Sequence, residues 1–266
     1  MSRISQSRGW PRAVPAVALA LGLTGFVAAW GWATAPLRLA PPMTAGPRSS
    51  ADAIARRAEV AFADAEAETA RAARGAGRAD LVFFRGATAS ACASGVGGRG
   101  AFYCPETGVA AVDLGYLETL AARLKDRADL GVALVAARLA AEHRQRETGV
   151  LDAAALDMIG ARKARRADIG LGLALQADCL TGAWAGTAEA RLGPVPEGFW
   201  GTLVGTVRNV GADFAAAGQP IPPELDGFAT GSREARAAAF ARGYAAAAAG
   251  APAAGACPTP IRLEVR

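Results

Sequence analysis

The spacing of apolar residues along the chain predicts a domain built mostly of helices. Two short apolar runs, ADLVFF at 79–84 and VAAVDL at 109–114, predict strands. Elsewhere apolar residues recur three or four positions apart, which is the period of one helix face. The helical segments are 51–75, 116–126, 130–147, about 162–190, a stretch that starts after Pro196, and 233–250 with Ser232 as N-cap and Gly250 as stop. The predicted fold class is therefore α+β and mostly helical, with two short strands.

A glycine-rich stretch, residues 86–108, separates the two predicted strands. Its glycines invite comparison with a phosphate-binding loop. It contains no G-K-[ST] sequence, however, and no helical pattern follows it directly. We therefore expect a structural loop here.

The first fifty residues have a composition of their own. Residues 1–12 contain three arginines and no acid, and residues 13–37 carry no charge at all. About 20 helical residues of this kind cross a hydrocarbon core, and cations before the span predict a cytoplasmic N-terminus and an exported remainder. The predicted order is a cytoplasmic N-terminus (1–12), a transmembrane anchor (13–35), a linker (36–50) and a domain outside the cytoplasm (51–266).

A cleaved signal peptide is the alternative to an anchor. The residues ATA at 33–35 fit an A-x-A cleavage site, but Pro36 would follow the cut, and the apolar run is long for the core of a signal peptide. Trp30 and Trp32 fall near the outer end of the run, where indole rings favour the membrane interface. We expect a single-pass protein of the cell membrane.

The net charge of +5 does not by itself indicate a nucleic-acid partner. A basic balance is compatible with nucleic acid or an anionic membrane. The arginines here are scattered among acids along the helical segments, which is typical of solvated helix faces, and no aromatic-basic platform is present. We expect no binding to nucleic acid.

The four cysteines agree with export, because an even number in an exported chain favours disulfides. Four cysteines allow three pairings, and a zinc site is disfavoured because no two have C-x-x-C spacing. Cys92 and Cys104 lie close enough in the glycine-rich loop to bridge it. Cys179 and Cys257 then remain as the second predicted pair.

From about residue 79 to 257 the chain resembles the bacterial neutral zinc metallopeptidases, which carry an N-terminal membrane span and an H-E-x-x-H helix. LVFFRGATASACASG and GAFYCPETGVAAVDLGYLETL resemble the strand, cysteine loop and next strand of that family. ALQADCLTGAW is similar to its ELQADC…G-W helix, and DGFATGSREARAAAFARGY to its F-T-H-G-T loop and following helix. The resemblance implies a zincin-like metallopeptidase domain.

A zinc site of this family requires three ligands and a base. Two histidines at positions i and i+4 share one helix face, and the glutamate after the first one is the general base for the metal-bound water. A third ligand from a second helix leaves one coordination position open.

When the chain is aligned with the family, a different residue stands at each of the three ligand positions and at the base position. Arg138 and Glu142 fall at the two histidine positions, and Leu139 falls at the base. Ala174 takes the place of the third ligand, and Thr230 that of the histidine in the F-T-H-G loop. The resemblance therefore implies that zinc binding has been lost. Arg138 and Glu142 would instead neutralise each other, for less than about 1 kcal/mol if the pair is exposed.

Two further polar residues have structural interpretations. His143, the only histidine, matches a histidine that follows the H-E-x-x-H motif in some members, and we expect it on the helix surface or partly buried, not as a ligand. Asp178 lies four residues after Ala174 on the same helix face, where it would have supported a ligand shell.

These observations favour a membrane-anchored, catalytically inactive relative of the zinc peptidases, which binds a peptide or a partner protein in the bacterial envelope. An active hydrolase with a relocated site would have to use His143, Glu142, Glu147 or Asp178. A purely structural envelope protein is a third alternative, which the sequence does not separate from the first.

Overall fold

The structure is a computed structural model, and it describes residues 51–72, 76–86, 92, 98–192, 195–196, 198–216 and 230–261. The predicted cytoplasmic segment, anchor and linker lie outside these residues. Within the described ranges, no helix combines the length and the apolar character that a membrane span needs.

Helices make up most of the described chain, as the apolar spacing predicts. They are α1 Ala51–Ala72, α2 Leu114–Leu124, α3 Ala128–Glu147, α4 Val150–Met158, α5 Lys163–Leu192, α6 Phe199–Ala216, α7 Arg233–Ala248 and α8 Ala253–Ala256. Ser232 caps α7 by accepting a hydrogen bond from the backbone N–H of Ala235 at 3.1 Å. The short helix α4 was not predicted, because its nine residues have too few turns to show a period.

The sheet contains three strands among the described residues: β1 Asp80–Phe84, β2 Ala101–Cys104 and β3 Val109–Asp113. β3 lies in the middle, parallel to β1 and antiparallel to β2. Asp113 ends β3 and caps α2 by accepting a hydrogen bond from the N–H of Gly115 at 2.8 Å. The sheet therefore leads directly into the helical part.

The prediction of two strands is wrong, since β2 forms inside the stretch predicted as a loop. Its four residues, AFYC, are too few to show alternation in the sequence. They become a strand because they pair with β3 across a tight turn, with Ala101 opposite Val112 and Cys104 opposite Val109. That pairing satisfies backbone groups that would otherwise be buried without partners.

Helix α3 is the central element. Every residue from 130 to 141 is buried, and the helix contacts α1, α2, α5, α6 and the sheet. A helix that is covered on all sides should be apolar all round, and most of α3 is. Polar side chains are therefore conspicuous where they do occur on it.

Helices α5 and α7 pack backbone against backbone. A Cβ atom added to Gly243 of α7 would lie 1.8 Å from the carbonyl oxygen of Cys179, and one added to Gly182 of α5 would lie 2.0 Å from that of Phe240. Only glycine permits this approach. It brings the start of α7 close to the middle of α5 and to α3.

Candidate functional site

Two clusters of polar side chains lie on different sides of α3. We call the first the arginine cluster; it consists of Arg138, Glu142, Asp178 and Arg236. We call the second the histidine cluster; it consists of Glu66, Tyr103, His143 and Glu147. The first joins α3 to α5 and α7, and the second joins α3 to α1 and β2.

Arg138 is the centre of the arginine cluster. Only 2% of its side chain is exposed. Its Nε donates to Oδ1 of Asp178 at 2.9 Å, and one terminal nitrogen donates to Oε1 of Glu142 at 2.8 Å. The other terminal nitrogen lies 3.4 Å from the carbonyl oxygen of Ala174. One guanidinium group therefore binds both its own helix and α5.

Arg236 of α7 binds the same acid from the other side. Its Nε lies 2.5 Å from Oδ2 of Asp178, and a terminal nitrogen lies 2.6 Å from Oδ1. This paired geometry is the strong form of an arginine–carboxylate interaction. The side chain of Arg236 is 1% exposed and that of Asp178 is 4% exposed. Asp178 thus holds three helices together through two arginines.

The charges of the arginine cluster balance, with two guanidinium groups facing two carboxylates. Burial alone would lower the pKa of the Arg138 guanidinium, but the carboxylates of Asp178 and Glu142 outweigh it and the pKa is raised. Arg138 is therefore a permanent cation inside the protein. Glu142, 16% exposed, lies at the edge of the cluster nearest to solvent.

The three ligand positions inferred from the resemblance meet in space. Arg138, Glu142 and Ala174 are joined by the hydrogen bonds of one guanidinium group. Leu139, at the base position, is completely buried in the main apolar core. Thr230 is half-buried, and the adjacent Gly231 lies against Leu171 and the stem of Arg236.

The pair between Arg138 and Glu142 forms as the sequence suggests, but Arg138 is buried, so the condition of exposure is not met. A buried ion pair is governed by the loss of hydration and by its additional hydrogen bonds, not by solvent screening. Asp178 and Arg236 supply those bonds. The low value for an exposed pair therefore does not apply.

The histidine cluster holds a backbone segment in place. Nε2 of His143 lies 3.0 Å from the carbonyl oxygen of Gly77, and Nδ1 lies 2.8 Å from the Tyr103 hydroxyl. A carbonyl oxygen only accepts, so Nε2 carries the hydrogen of that bond, and Nδ1 is the ring atom that pairs with Tyr103. Glu147 accepts from the N–H of Gly77 at 2.7 Å, and Glu66 accepts from that of Ala79 at 3.1 Å.

The predicted position of His143 is wrong: its side chain is completely buried. It faces α1 and β2, which cover this part of α3, and long-range packing of that kind is not visible in a helical period. Burial also raises the pKa of Glu66, against the lowering effects of the Ala79 N–H and of His143. Burial raises the pKa of Tyr103 to about 12.

The residues of the alternative, relocated site do not assemble into one centre. Glu142 and Asp178 belong to the arginine cluster, whereas His143 and Glu147 belong to the histidine cluster. His143 is completely buried, and both of its ring nitrogens are hydrogen-bonded. A side chain in that state does not present a ring nitrogen to a substrate.

Two disulfides flank the two clusters. Cys179 follows Asp178 and is bonded to Cys257, with 5.5 Å between the Cα atoms. Cys104 follows Tyr103 and is bonded to Cys92, with 5.2 Å between the Cα atoms. These are the pairs that the sequence predicts. Each disulfide fixes the strand or helix that supplies a polar residue to a cluster.

Residues of the arginine cluster do not fit a zinc ion. A divalent cation needs neutral or anionic donors, and Arg138 places a cation among them. Within the ranges that the structure describes, no three His, Cys, Asp or Glu side chains are grouped to hold a metal. The donor set is therefore that of an internal salt-bridge network.

Sequence reasoning missed Arg236 and Glu66. Arg236 stands in the alanine-rich sequence REARAAAF, where an arginine resembles a solvated one. Its role depends on the contact between α5 and α7, for which Gly182 and Gly243 were the available signals. Glu66 similarly sits in a helix that contains several other acids.

The mostly helical α+β domain is compatible with the class that the short motifs indicate, the zinc peptidase-like proteins. Comparison of sequences agrees. Residues 44–257 match the family described as "Putative neutral zinc metallopeptidase", and the chain belongs to that family.

Among curated proteins, the chain is similar to "Uncharacterized protein YpfJ" of Escherichia coli strain K12. The two are 27% identical over 167 residues, which is 62% of this chain and 57% of the relative. The protein of the same name from Escherichia coli O6:H1, strain CFT073, matches to the same extent. The match thus spans little more than half the length of these relatives. No solved structure gives a significant match to the chain.

Proposed function

We propose that this chain is a membrane-anchored pseudopeptidase, which keeps the frame of a zinc peptidase but binds a peptide or a partner protein in the envelope instead of cleaving it. The observation that carries the proposal is the arginine cluster. The equivalents of the zinc ligands lie together, and a buried guanidinium group is the centre of their contacts.

Electrostatics supports the loss of zinc. At about 4 Å and an effective dielectric of 20, two unit charges interact by about 4 kcal/mol. Arg138 would repel a divalent ion at least that strongly. The cluster is already neutral without a metal, because Asp178 and Glu142 are both bound to arginine.

The position of Leu139 supports the loss of catalysis separately. An alkyl side chain cannot take a proton from water, and this one is buried in the core beside Val135 and Ala136. A substitution Leu139→Glu would bury a carboxylate without a partner, at a cost of several kcal/mol. Restoring the zinc ligands and restoring the general base at Leu139 are therefore separate experiments.

Elemental analysis of the purified full chain tests the proposal directly. We expect less than stoichiometric zinc and no chelator-sensitive cleavage of peptides. Stoichiometric zinc, or proteolysis that a chelator stops and that Glu142→Ala abolishes, would contradict the proposal.

Restoring the ligands tests the alignment. The triple change Arg138→His, Glu142→His and Ala174→Glu should give a chain that binds zinc and is stabilised against heat by it, because binding to the folded state alone stabilises that state. The matched control carries Ala174→Gln instead of Ala174→Glu and should bind zinc more weakly. A folded triple variant that binds none would show that the alignment is wrong.

The anchor is tested by N-terminal sequencing of the mature protein. We expect the chain to retain residues 13–35 and to fractionate with membranes. A mature chain that begins near Pro36 would replace the anchor by a cleaved signal peptide, and it would leave the pseudopeptidase proposal intact.

A further inference from the structure

The turn between α4 and α5 carries the most exposed large apolar side chains of the described residues. Leu156 is 69% exposed and Ile159 is 76% exposed, whereas the next two, Val82 and Val60, are about 40% exposed. Leu156 and Ile159 lie three residues apart at the end of α4. They form one apolar tip.

This tip is held in a fixed turn. The N–H of Ile159 donates to the carbonyl of Leu156, and that of Ala161 donates to the carbonyl of Met158, both at 3.1 Å. Gly160 has a φ of +69°, which favours glycine. The opposite side of α4 packs through Ala154 on a small core with Ile169 and Ile261. The two apolar side chains therefore point outward because their helix is anchored behind them.

A row of cations begins directly after the tip. Arg162, Lys163 and Arg165 are exposed, and Arg166 is half-buried. Asp157 is close to the row and pairs with Arg165 at 3.3 Å, so from Leu156 to Arg166 four cations face one acid. We call the tip and these four cations the α4–α5 surface.

The cations stand at the unfavourable end of a helix. The N-terminus of a helix carries a partial positive charge, which favours acids in the first turn. α5 has no acid in its first turn and begins instead with Lys163. An anionic partner would offset this repulsion, and a neutral one would not.

The combination of apolar and cationic side chains on this surface favours a membrane over a protein. Exposed apolar side chains next to exposed Lys and Arg in the chain fit the boundary between acyl chains and anionic headgroups. A stable protein interface buries about 800 Å² on each partner, and two side chains on one turn supply much less. We propose that the α4–α5 surface is a peripheral contact with anionic lipid, additional to the N-terminal anchor proposed above.

Hydrogen exchange of the full chain in lipid nanodiscs tests this contact. One set of discs contains phosphatidylcholine only, and the other also contains phosphatidylglycerol. We expect the amides of residues 155–167 to exchange more slowly on the anionic discs than on the neutral ones. High salt should remove the difference, because it screens exposed charges.

Variants separate the two parts of the surface. Arg162→Gln with Lys163→Gln should reduce the added protection about fivefold for each cation removed. Leu156→Ser with Ile159→Ser should reduce it as well, without changing the salt dependence. The matched controls, Val82→Ser for an exposed apolar residue and Arg71→Gln for an exposed cation, should leave the protection unchanged.

The outcomes distinguish this proposal from the anchor. If the chain does not stay with the discs, the anchor is wrong, and the same variants are then compared by sedimentation with vesicles of the two compositions. Equal protection on neutral and anionic lipid would overturn the lipid contact. Protection that rises with protein concentration in the absence of anionic lipid would also overturn it, in favour of a second copy of the chain.

Discussion

The two polar clusters on α3 both satisfy polar groups inside the protein, but they do so by different chemistry. In the arginine cluster, four charged side chains from three helices balance one another, and the contacts mainly join side chain to side chain. In the histidine cluster, an imidazole ring and two carboxylates mainly hold the backbone of residues 77–79. The first cluster fixes helices to one another, and the second fixes the chain that leads into β1.

The difference follows from what each cluster must accommodate. Backbone N–H and C=O groups carry partial charges, so neutral or singly charged partners satisfy them. A buried guanidinium group requires full negative charge nearby. We infer that the arginine cluster depends on each member far more than the histidine cluster does, and four experiments test that inference.

Asp178→Ala should have the largest effect. It leaves Arg138 and Arg236 buried without the acid that they share, and we expect the free energy of unfolding to fall by about 5 kcal/mol. Chemical unfolding followed by circular dichroism measures the loss. The control is Glu118→Ala, which breaks an exposed pair with Arg85 and should cost under about 1 kcal/mol. Equal losses would refute the dependence on the shared acid.

Removing the disulfide beside the arginine cluster should lower the stability more than removing the one beside the histidine cluster. Replacing Cys179 and Cys257 by alanine opens a loop whose ends are 78 residues apart. The entropy gained by the unfolded chain should lower the free energy of unfolding by about 4.5 kcal/mol. Replacing Cys92 and Cys104 opens a loop whose ends are 12 residues apart and should lower the free energy of unfolding by about 3 kcal/mol. Unfolding of the two double variants is compared without reductant. The reverse order would show that the disulfide beside Asp178 is not the more important constraint.

His143→Leu should have a smaller effect than Asp178→Ala. It removes both ring hydrogen bonds and leaves the Gly77 carbonyl and the Tyr103 hydroxyl without this partner. We expect the free energy of unfolding to fall by about 2–3 kcal/mol. Tyr103→Phe removes only one of the two bonds and should cost about 1 kcal/mol. If the two variants unfold alike, the ring does not hold Gly77.

Glu66→Gln should have the smallest effect, visible as a dependence on pH. Burial raises the pKa of Glu66, so ionisation is less favourable in the folded state than in the unfolded state. Its contribution to stability is complete below the usual carboxyl pKa and is lost as the pH rises through the raised value. The variant should therefore gain stability relative to the parent as the pH rises. A constant difference from acid to neutral pH would contradict the assignment.

Local patterns in the sequence were sufficient for most of the elements. The helical periods, the Ser232 cap and the two apolar strands depend on neighbours within a few residues, and the structure agrees with them. Membership of the family was also readable from the order of short motifs, since it depends on residue type and spacing alone. It was equally plain that the chain has one histidine and no H-E-x-x-H motif.

Long-range contacts decided the rest. β2 exists because it pairs with β3, and His143 is buried because α1 and β2 cover it. Arg236 reaches Asp178 because Gly182 and Gly243 let two backbones touch. The sequence by itself determined most of the elements, the family and the absence of an H-E-x-x-H motif. Only the tertiary structure decided which charges meet, because a guanidinium group finds its carboxylate through space and not along the chain.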